Sequence, residues 1–313
     1  MPDDPDEQHV IDTLLAARPD LGERGHPLQV DAGDDAALLA NGTLVTADTL
    51  VEGVHWDHRS SAENVGWKAV AVNASDIGAM GGHPTWATLA ICLARPLDVE
   101  WVDGFARGLQ RACAHFGVTL VGGDTTRSPG PTVVSITMGG GVEHPVLRSG
   151  GQPGDLLFVT GTPGQAAAGF FAGGPALAAL TRPSPPVRFG AALGEAGLVT
   201  AMLDLSDGIA RDLTRLARAS EVGAVVDETL LPSTPELDAL DAPLAAQVAF
   251  GDDYELLFSL PAHRVPAMMA LADHHQVKVS EIGRLTEAPE VKLTHTAWPA
   301  SLFSHFAPGP TPC

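Results

Sequence analysis

Lysine is nearly absent from this sequence: Lys68, Lys278 and Lys292 are the only three in 313 residues. Positive charge is scarce altogether, with 18 Lys and Arg against 38 Asp and Glu, a net charge of −20. A surface of that sign repels phosphate backbones and anionic lipid, so nucleic acid and membrane surfaces are not expected partners. Cysteine is equally sparse. Cys92, Cys113 and Cys313 have no paired or metal-ligand spacing, which excludes a disulfide framework and a zinc ribbon. No apolar run reaches 18 residues, and the opening MPDDPDEQHV is acidic where a signal peptide needs a basic start and an apolar stretch. The expectation is a soluble, cytoplasmic protein. The familiar phosphate and hydrolase signatures are missing too: GxxxxGK[ST], GxGxxG, HRD, DFG and HExxH do not occur.

What is present is ordinary globular composition, 45% apolar and 18% charged, with 34 glycines and 25 prolines that imply many turns. The length suggests two domains. Helical spacing marks residues 6–18, then 62–80 with Val65, Ala69, Val72 and Asp76 on one face, and 99–116 with Trp101, Phe105, Leu109 and Cys113 on a stripe. Strands are expected on either side of the Asn41-Gly42 turn, over 84–94, 118–123 and 131–142. The turn-rich RSGGQPGDLL divides the chain into 1–147 and 148–313, and the second part repeats the α+β grammar, with strand-like YELLFSL and VKVSEIGRL and a helix in DGIARDLTRLARAS.

Chemistry is suggested by acidic clusters beside glycine or small residues: Asp34-Asp35, Asp48, Asp76, Asp124, Asp204-Ser206-Asp207 and Asp252-Asp253. Each has a bland alternative, whether a solvated turn or, for Ser206 and Asp207, a helix N-cap. Asp76 is harder to dismiss, because a carboxylate on an apolar stripe is costly unless paired or metal-bound. Taken together in a chain with three lysines, the aspartates point to hard divalent cations, since Mg2+ commonly joins one or two carboxylates to substrate phosphates. The run DLSDG is not an EF-hand loop, lacking glycine at loop position six and glutamate at twelve. His55, in GVHW after the Asp48 segment, is the histidine of interest.

The stretches GDDAALL, TADTLVEGVHW, KAVAVNASDIGAMGGHP, VGGDTTR, RSGGQPGD, VTGTPG, DLSDGIARDL and GDDYELLF run in the order found in a known family, over about residues 31–306. The chain resembles the thiamine-monophosphate kinases of the aminoimidazole-ribonucleotide synthetase-like superfamily. The resemblance implies two α+β, α/β-sandwich-like domains, the N-terminal one closing a β-barrel with a second copy in a homodimer. It implies ATP-dependent conversion of thiamine monophosphate to thiamine diphosphate with Mg2+. Carried over by position, Asp35, Thr46, Ala47, Asp48, Asp76, Asp124, Asp204 and Asp207 fall at metal ligands. Gly123, Asp124, Arg148 and Ser206 fall at ATP contacts, and His55, Asp252 and Phe303 at the thiamine substrate. Asp48, Asp124 and Asp207 are then the residues nearest the chemistry. Three positions depart from the usual pattern: Ala47 replaces a threonine, Asp252 a glutamate, and Phe303 a tyrosine found in some members. The acceptor would be a phosphate monoester, mostly ionised at pH 7, so no general base is needed. Another ATP-using member of the superfamily, such as an aminoimidazole-ribonucleotide or selenophosphate synthetase, and a non-catalytic cation-binding protein are the alternatives.

Overall fold

Residues 7–17 and 28–299 are described by the computed structural model, and their strands form two six-stranded sheets. The first contains β1 (Leu28–Val30), β2 (Ala37–Leu39), β3 (Thr43–Val51), β4 (His83–Leu93), β5 (Thr119–Arg127) and β6 (Val133–Gly141), in the spatial order β1-β2-β3-β6-β4-β5. The Asn41-Gly42 turn joins β2 to β3; Gly42 has φ 80° and donates its N–H to Leu39 O. Only β4 and β5 run parallel, joined through a helix as parallel neighbours require. Alternation along β3 buries Leu44, Thr46 and Leu50 and leaves Ala47 and Thr49 exposed on the other face.

Helix α1 (Glu7–Ala16) precedes this sheet; α2 (Ala62–Ala79) and α3 (Val99–Phe116) interleave with its strands. Ser61 caps α2, its hydroxyl accepting the Asn64 N–H. The sequence pattern marks one apolar face on α2, yet every residue from Val65 to Ala79 except Asp76 is buried. The helix is covered all round because two neighbours reach it through glycines. A Cβ on Gly108 of α3 would stand 1.8 Å from Glu63 O, and one on Gly190 would stand 2.3 Å from Gly78 O.

The second sheet contains β7 (Leu156–Thr160), β8 (Ala201–Asp204), β9 (Gly223–Val226), β10 (Leu256–Leu260), β11 (Val279–Thr286) and β12 (Val291–Leu293), in the order β12-β9-β11-β7-β10-β8. Around it lie α4 (Gln165–Ala172), α5 (Leu177–Thr181), α6 (Val187–Glu195), α7 (Ile209–Ala219), α8 (Pro235–Asp238), α9 (Pro243–Ala249) and α10 (Val265–His275). Leu157, Leu203, Leu213, Leu216, Leu257 and Ile282 share one core between this sheet and α7. Gly190 lies in α6, and α2 also touches β8, so α2 bridges the two sheets. That bridge decides where the aspartates meet.

Three local expectations shift. The strand read from Val118 to Gly123 continues to Arg127 as an edge strand, exposed along its whole length. The strand read from Tyr254 starts at Leu256, because Asp252 and Tyr254 hold φ of 70° and 51°, which an extended strand cannot accept. Ser206 and Asp207 do not cap α7; the N-cap is Gly208, at φ 92°, with no side-chain bond. No helix among the described residues is long and apolar enough to cross a membrane.

Candidate active site

Three carboxylates from three elements converge. Asp35 lies in the turn before β2, Asp76 in the last turn of α2 and Asp204 at the end of β8; each offers an oxygen within 4.8 Å of the others. The residues that order them are local. Thr46 Oγ1 of β3 donates to Asp76 Oδ2 at 2.5 Å, and Ser75 Oγ donates to Asp204 Oδ2 at 2.6 Å. Asn73 of the same helix accepts the Asp48 N–H at 3.1 Å. One short stretch of α2, Asn73 to Asp76, thus organises both sheets' acidic residues.

Arg148 provides the opposing charge. Its Nη2 donates to Asp35 Oδ1 at 2.6 Å and its backbone N–H to Asp34 Oδ2 at 3.1 Å. The remaining Asp35 oxygen, Oδ2, is buried with no hydrogen-bond partner, as is Arg148 Nε. A buried acceptor without a partner is costly, so this oxygen marks a place where a cation fits.

The cluster opens into a cavity of about 660 Å3 lined by Asp48, His55, Asp76, Arg148, Ser206, Asp207, Arg215 and Asp252, among others, with Ile11 and Leu15 of α1 at its border. Burial dominates the electrostatics and mutual repulsion adds to it. Asp35 is pushed up to about 7 by burial and by the charges of Asp204 and Asp34, against the opposing pull of Arg148. Asp48 is raised to about 6 by burial and by Asp207, and Asp204 to about 6 by burial and by Asp48 and Asp207. Asp76 is held well above the usual carboxylate range by burial and by Asp48, Asp204 and Asp35. Carboxylates this crowded hold protons unless a cation neutralises them. All the donors are oxygens, the set that Mg2+ prefers.

Asp207 sits across the cavity, paired with Arg215 Nη1 at 2.7 Å. The same Arg215 nitrogen donates to Asp212 at 2.8 Å, and Asp212 accepts the Asp207 backbone N–H at 2.9 Å. At the other end His55 Nδ1 accepts the Val51 N–H at 3.0 Å, which leaves the ring hydrogen on Nε2 when the ring is neutral. Asp252 is 7% exposed, its carboxylate shared between Lys68 and Tyr254.

Asp35, Thr46, Asp48, Asp76, Arg148, Asp204, Ser206, Asp207, His55 and Asp252 therefore gather at one cleft. Ala47 turns its side chain to the opposite face of β3. Gly123 and Asp124 do not join within the single chain. They lie on β5, separated from β3 by β4 and β6, about 14 Å away at ordinary strand spacing. Gly123 has a packing reason of its own, since a Cβ there would stand 1.7 Å from Leu89 O. Phe303 lies outside the described residues. Asp212 and Arg215 had no place among the sequence candidates, and Lys68 was counted there without a role. Lys68 carried a usable signal: a lysine within the apolar run KAVAVNASDIGAM needs a buried partner.

Comparison with known proteins adds a family to this geometry. Residues 33–142 match the AIR synthase related protein, N-terminal domain, and residues 152–296 match its C-terminal domain. A curated relative, the thiamine-monophosphate kinase of Escherichia coli K12, is 36% identical over 289 residues, covering 83% of this chain and 85% of its own. The solved thiamine-monophosphate kinase of Stenotrophomonas maltophilia K279a is 35% identical at a TM-score of 0.77, over 88% of this chain and 93% of that one. A structure described as AaThiL complexed with AMPPCP and TMP superposes at a TM-score of 0.83, with 29% identity over 96% of this chain and 97% of that one.

Proposed function

Since the chain belongs to the AIR synthase related protein family, in its thiamine-monophosphate kinase branch, we propose that the aspartate-lined cleft is where it phosphorylates thiamine monophosphate with ATP, giving thiamine diphosphate and ADP. The observation that carries the assignment of the site is the meeting of Asp35, Asp76 and Asp204 beside Arg148, with a buried Asp35 oxygen left for a cation.

The residues fit Mg2+. Asp35, Thr46, Asp48, Asp76, Asp204 and Asp207 would hold it, together with the Ala47 carbonyl, and Asp124 is a ligand by the resemblance alone. Bound Mg2+ supplies positive charge between two polyanions that otherwise repel each other. The chain does the positioning, which is most of what phosphoryl transfer asks of a protein. Arg148, fixed by Asp34 and Asp35, presents charge to the nucleotide beside Ser206, and Gly123 is a nucleotide contact by the resemblance alone. His55, Asp252 and Phe303 receive the thiamine end. No side chain need take a proton from the acceptor, a phosphate monoester with a second pKa near 6.

The two units are taken to divide at 147/148, and the chain to act in the cytoplasm, where ATP is plentiful. The chain is taken to work as a homodimer through β5, whose apolar Leu120 and Val121 are exposed on an unpaired sheet edge. Asp124 lies on this same edge, remote from the cleft of its own chain, and pairing two copies here is how the two sheets would close a barrel.

The test is incubation with ATP, Mg2+ and thiamine monophosphate, with product mass read by mass spectrometry. Thiamine diphosphate and ADP in equal amounts are expected, with free thiamine a poor acceptor because its hydroxyl needs a base. Phosphorylation of free thiamine with none of the monophosphate would overturn the assignment.

A further inference from the structure

Lys68 is the lysine that the net charge makes conspicuous, and it is 2% exposed in the middle of α2. Its ammonium donates to Asp252 Oδ2 at 2.8 Å and to the His55 carbonyl at 3.2 Å. The two groups it joins come from distant parts of the chain, a turn after β3 and the segment before β10. They are also the two described residues assigned to the thiamine end of the cleft. The other Asp252 oxygen accepts the Tyr254 hydroxyl at 3.0 Å.

The backbone around Asp252 is held in a costly shape. Asp252 and Tyr254 have φ of 70° and 51°, in the left-handed region that side chains disfavour. Such conformations persist only where surrounding contacts over-determine them, and they cluster at functional sites. Here the contacts are visible. Asp252 N donates to Ser206 O at 2.9 Å, and Tyr254 N donates to Leu205 O at 2.8 Å. A Cβ on Gly251 would stand 2.1 Å from Ser206 O, so the segment lies flat on the Leu205-Ser206 backbone. Lys68 supplies the remaining tie, from the N-terminal sheet's helix. A buried ion pair is weak as a source of stability, because desolvation offsets the attraction; its attested use is to specify geometry.

We infer that Lys68 is a positioning residue for the phosphate acceptor. It holds the His55 turn and the Asp252 carboxylate at one separation, so that the thiamine end of the substrate meets both. It does not touch the nucleotide, and it takes no part in the transfer itself. The inference rests on the kinase reading above and assigns that site's acceptor end to a residue outside the cavity wall.

The experiment compares the wild-type protein, Lys68→Met and the charge-balanced Lys68→Met/Asp252→Asn double variant, with Asp252→Asn as reference. Steady-state KM for thiamine monophosphate and for ATP, kcat and melting temperature are measured on each. Lys68→Met is expected to raise the acceptor KM at least tenfold while the ATP KM stays within about twofold. If the stranded Asp252 charge keeps Lys68→Met from folding, the double variant restores folding and is read against Asp252→Asn. It should then show a further rise in acceptor KM of at least threefold, because the His55 turn has lost its tie as well. A merely structural lysine predicts a lower melting temperature with both KM values unchanged in the folded protein, and that result overturns the inference. An equal rise in both KM values overturns it too. Absence of wild-type turnover removes the kinase reading along with it, whereas wild-type turnover with an unaltered acceptor KM in the variants overturns the role of Lys68 alone.

Discussion

Asp76 carries the chemistry of this molecule at the scale of one residue. It sits in the last helical turn, where the helix dipole disfavours negative charge, against two other carboxylates, and is stabilised by one hydroxyl. Nothing in folding alone rewards that arrangement. Replacing Asp76 by asparagine keeps an acceptor for Thr46 and removes a repelling charge. Turnover is expected to fall by about 100-fold or more, the scale of losing a main electrostatic stabiliser, while the melting temperature stays level or rises. A normal turnover number at saturating Mg2+ would refute the role of Asp76 as a ligand. The sequence exposed Asp76 as a misfit on an apolar stripe. It gave no hint that Ser75 and Asn73, its neighbours, would orient Asp204 and Asp48, because those partners are far away in the chain.

Among the described elements, β5 is a strand with incomplete surroundings. All nine of its residues are exposed, Val121 at 60% and Leu120 at 43%. Long, exposed apolar edges are uncommon in chains that work alone. The expected mass in sedimentation at micromolar concentration is about twice the 32.4 kDa of one chain. Val121→Asp should shift it to the single-chain value, since it adds a carboxylate from each copy to an already acidic surface. Its melting temperature should change by only a few degrees, because the side chain is already 60% exposed in the single chain. A Val121→Asp protein that stays dimeric argues against this edge as the contact. Helix α2 is the opposite case, closed in on all sides by glycine-mediated approaches that no periodicity in its own sequence records.

For the molecule as a whole, the buried carboxylates tie stability to pH and to metal. Asp35 near 7 and Asp48 and Asp204 near 6 are raised above the ordinary value of 3.8. In the unfolded chain these groups lose their protons near pH 4; in the folded protein they keep them until pH 6 to 7. Between those limits the folded state binds more protons, so stability declines as pH rises. Their contribution is complete below about pH 4 and lost through pH 6 to 7. Asp253, raised to about 8, and Glu255, raised to about 7, both by burial, act in the same direction. With Mg2+ chelated, the melting temperature should therefore be lower at pH 8 than at pH 5.5. Adding Mg2+ at pH 8 should raise it, by binding the folded state alone, and the same addition at pH 5 should do much less. A melting temperature that is flat or rising from pH 5.5 to 8 in the chelator, unmoved by Mg2+, would count against a cation site at this cluster.

The sequence by itself determined the classes of element and the chemistry on offer. Apolar spacing marked α2, α3 and α7, the Asn41-Gly42 turn marked a hairpin, and aspartates beside small residues in a lysine-poor chain marked an oxygen-ligand cation site. These are local properties, fixed by side-chain type and periodicity. Tertiary structure decided which aspartates share a cation. Asp35, Asp76 and Asp204 are brought together by α2 lying between two sheets, whereas Asp124 is left on an edge. It also decided that Lys68 meets Asp252 across 184 positions of chain, and that Ser206 and Asp207 face the cleft instead of capping α7. Contacts between residues far apart in sequence follow from how whole elements pack, and no spacing within a single element encodes them.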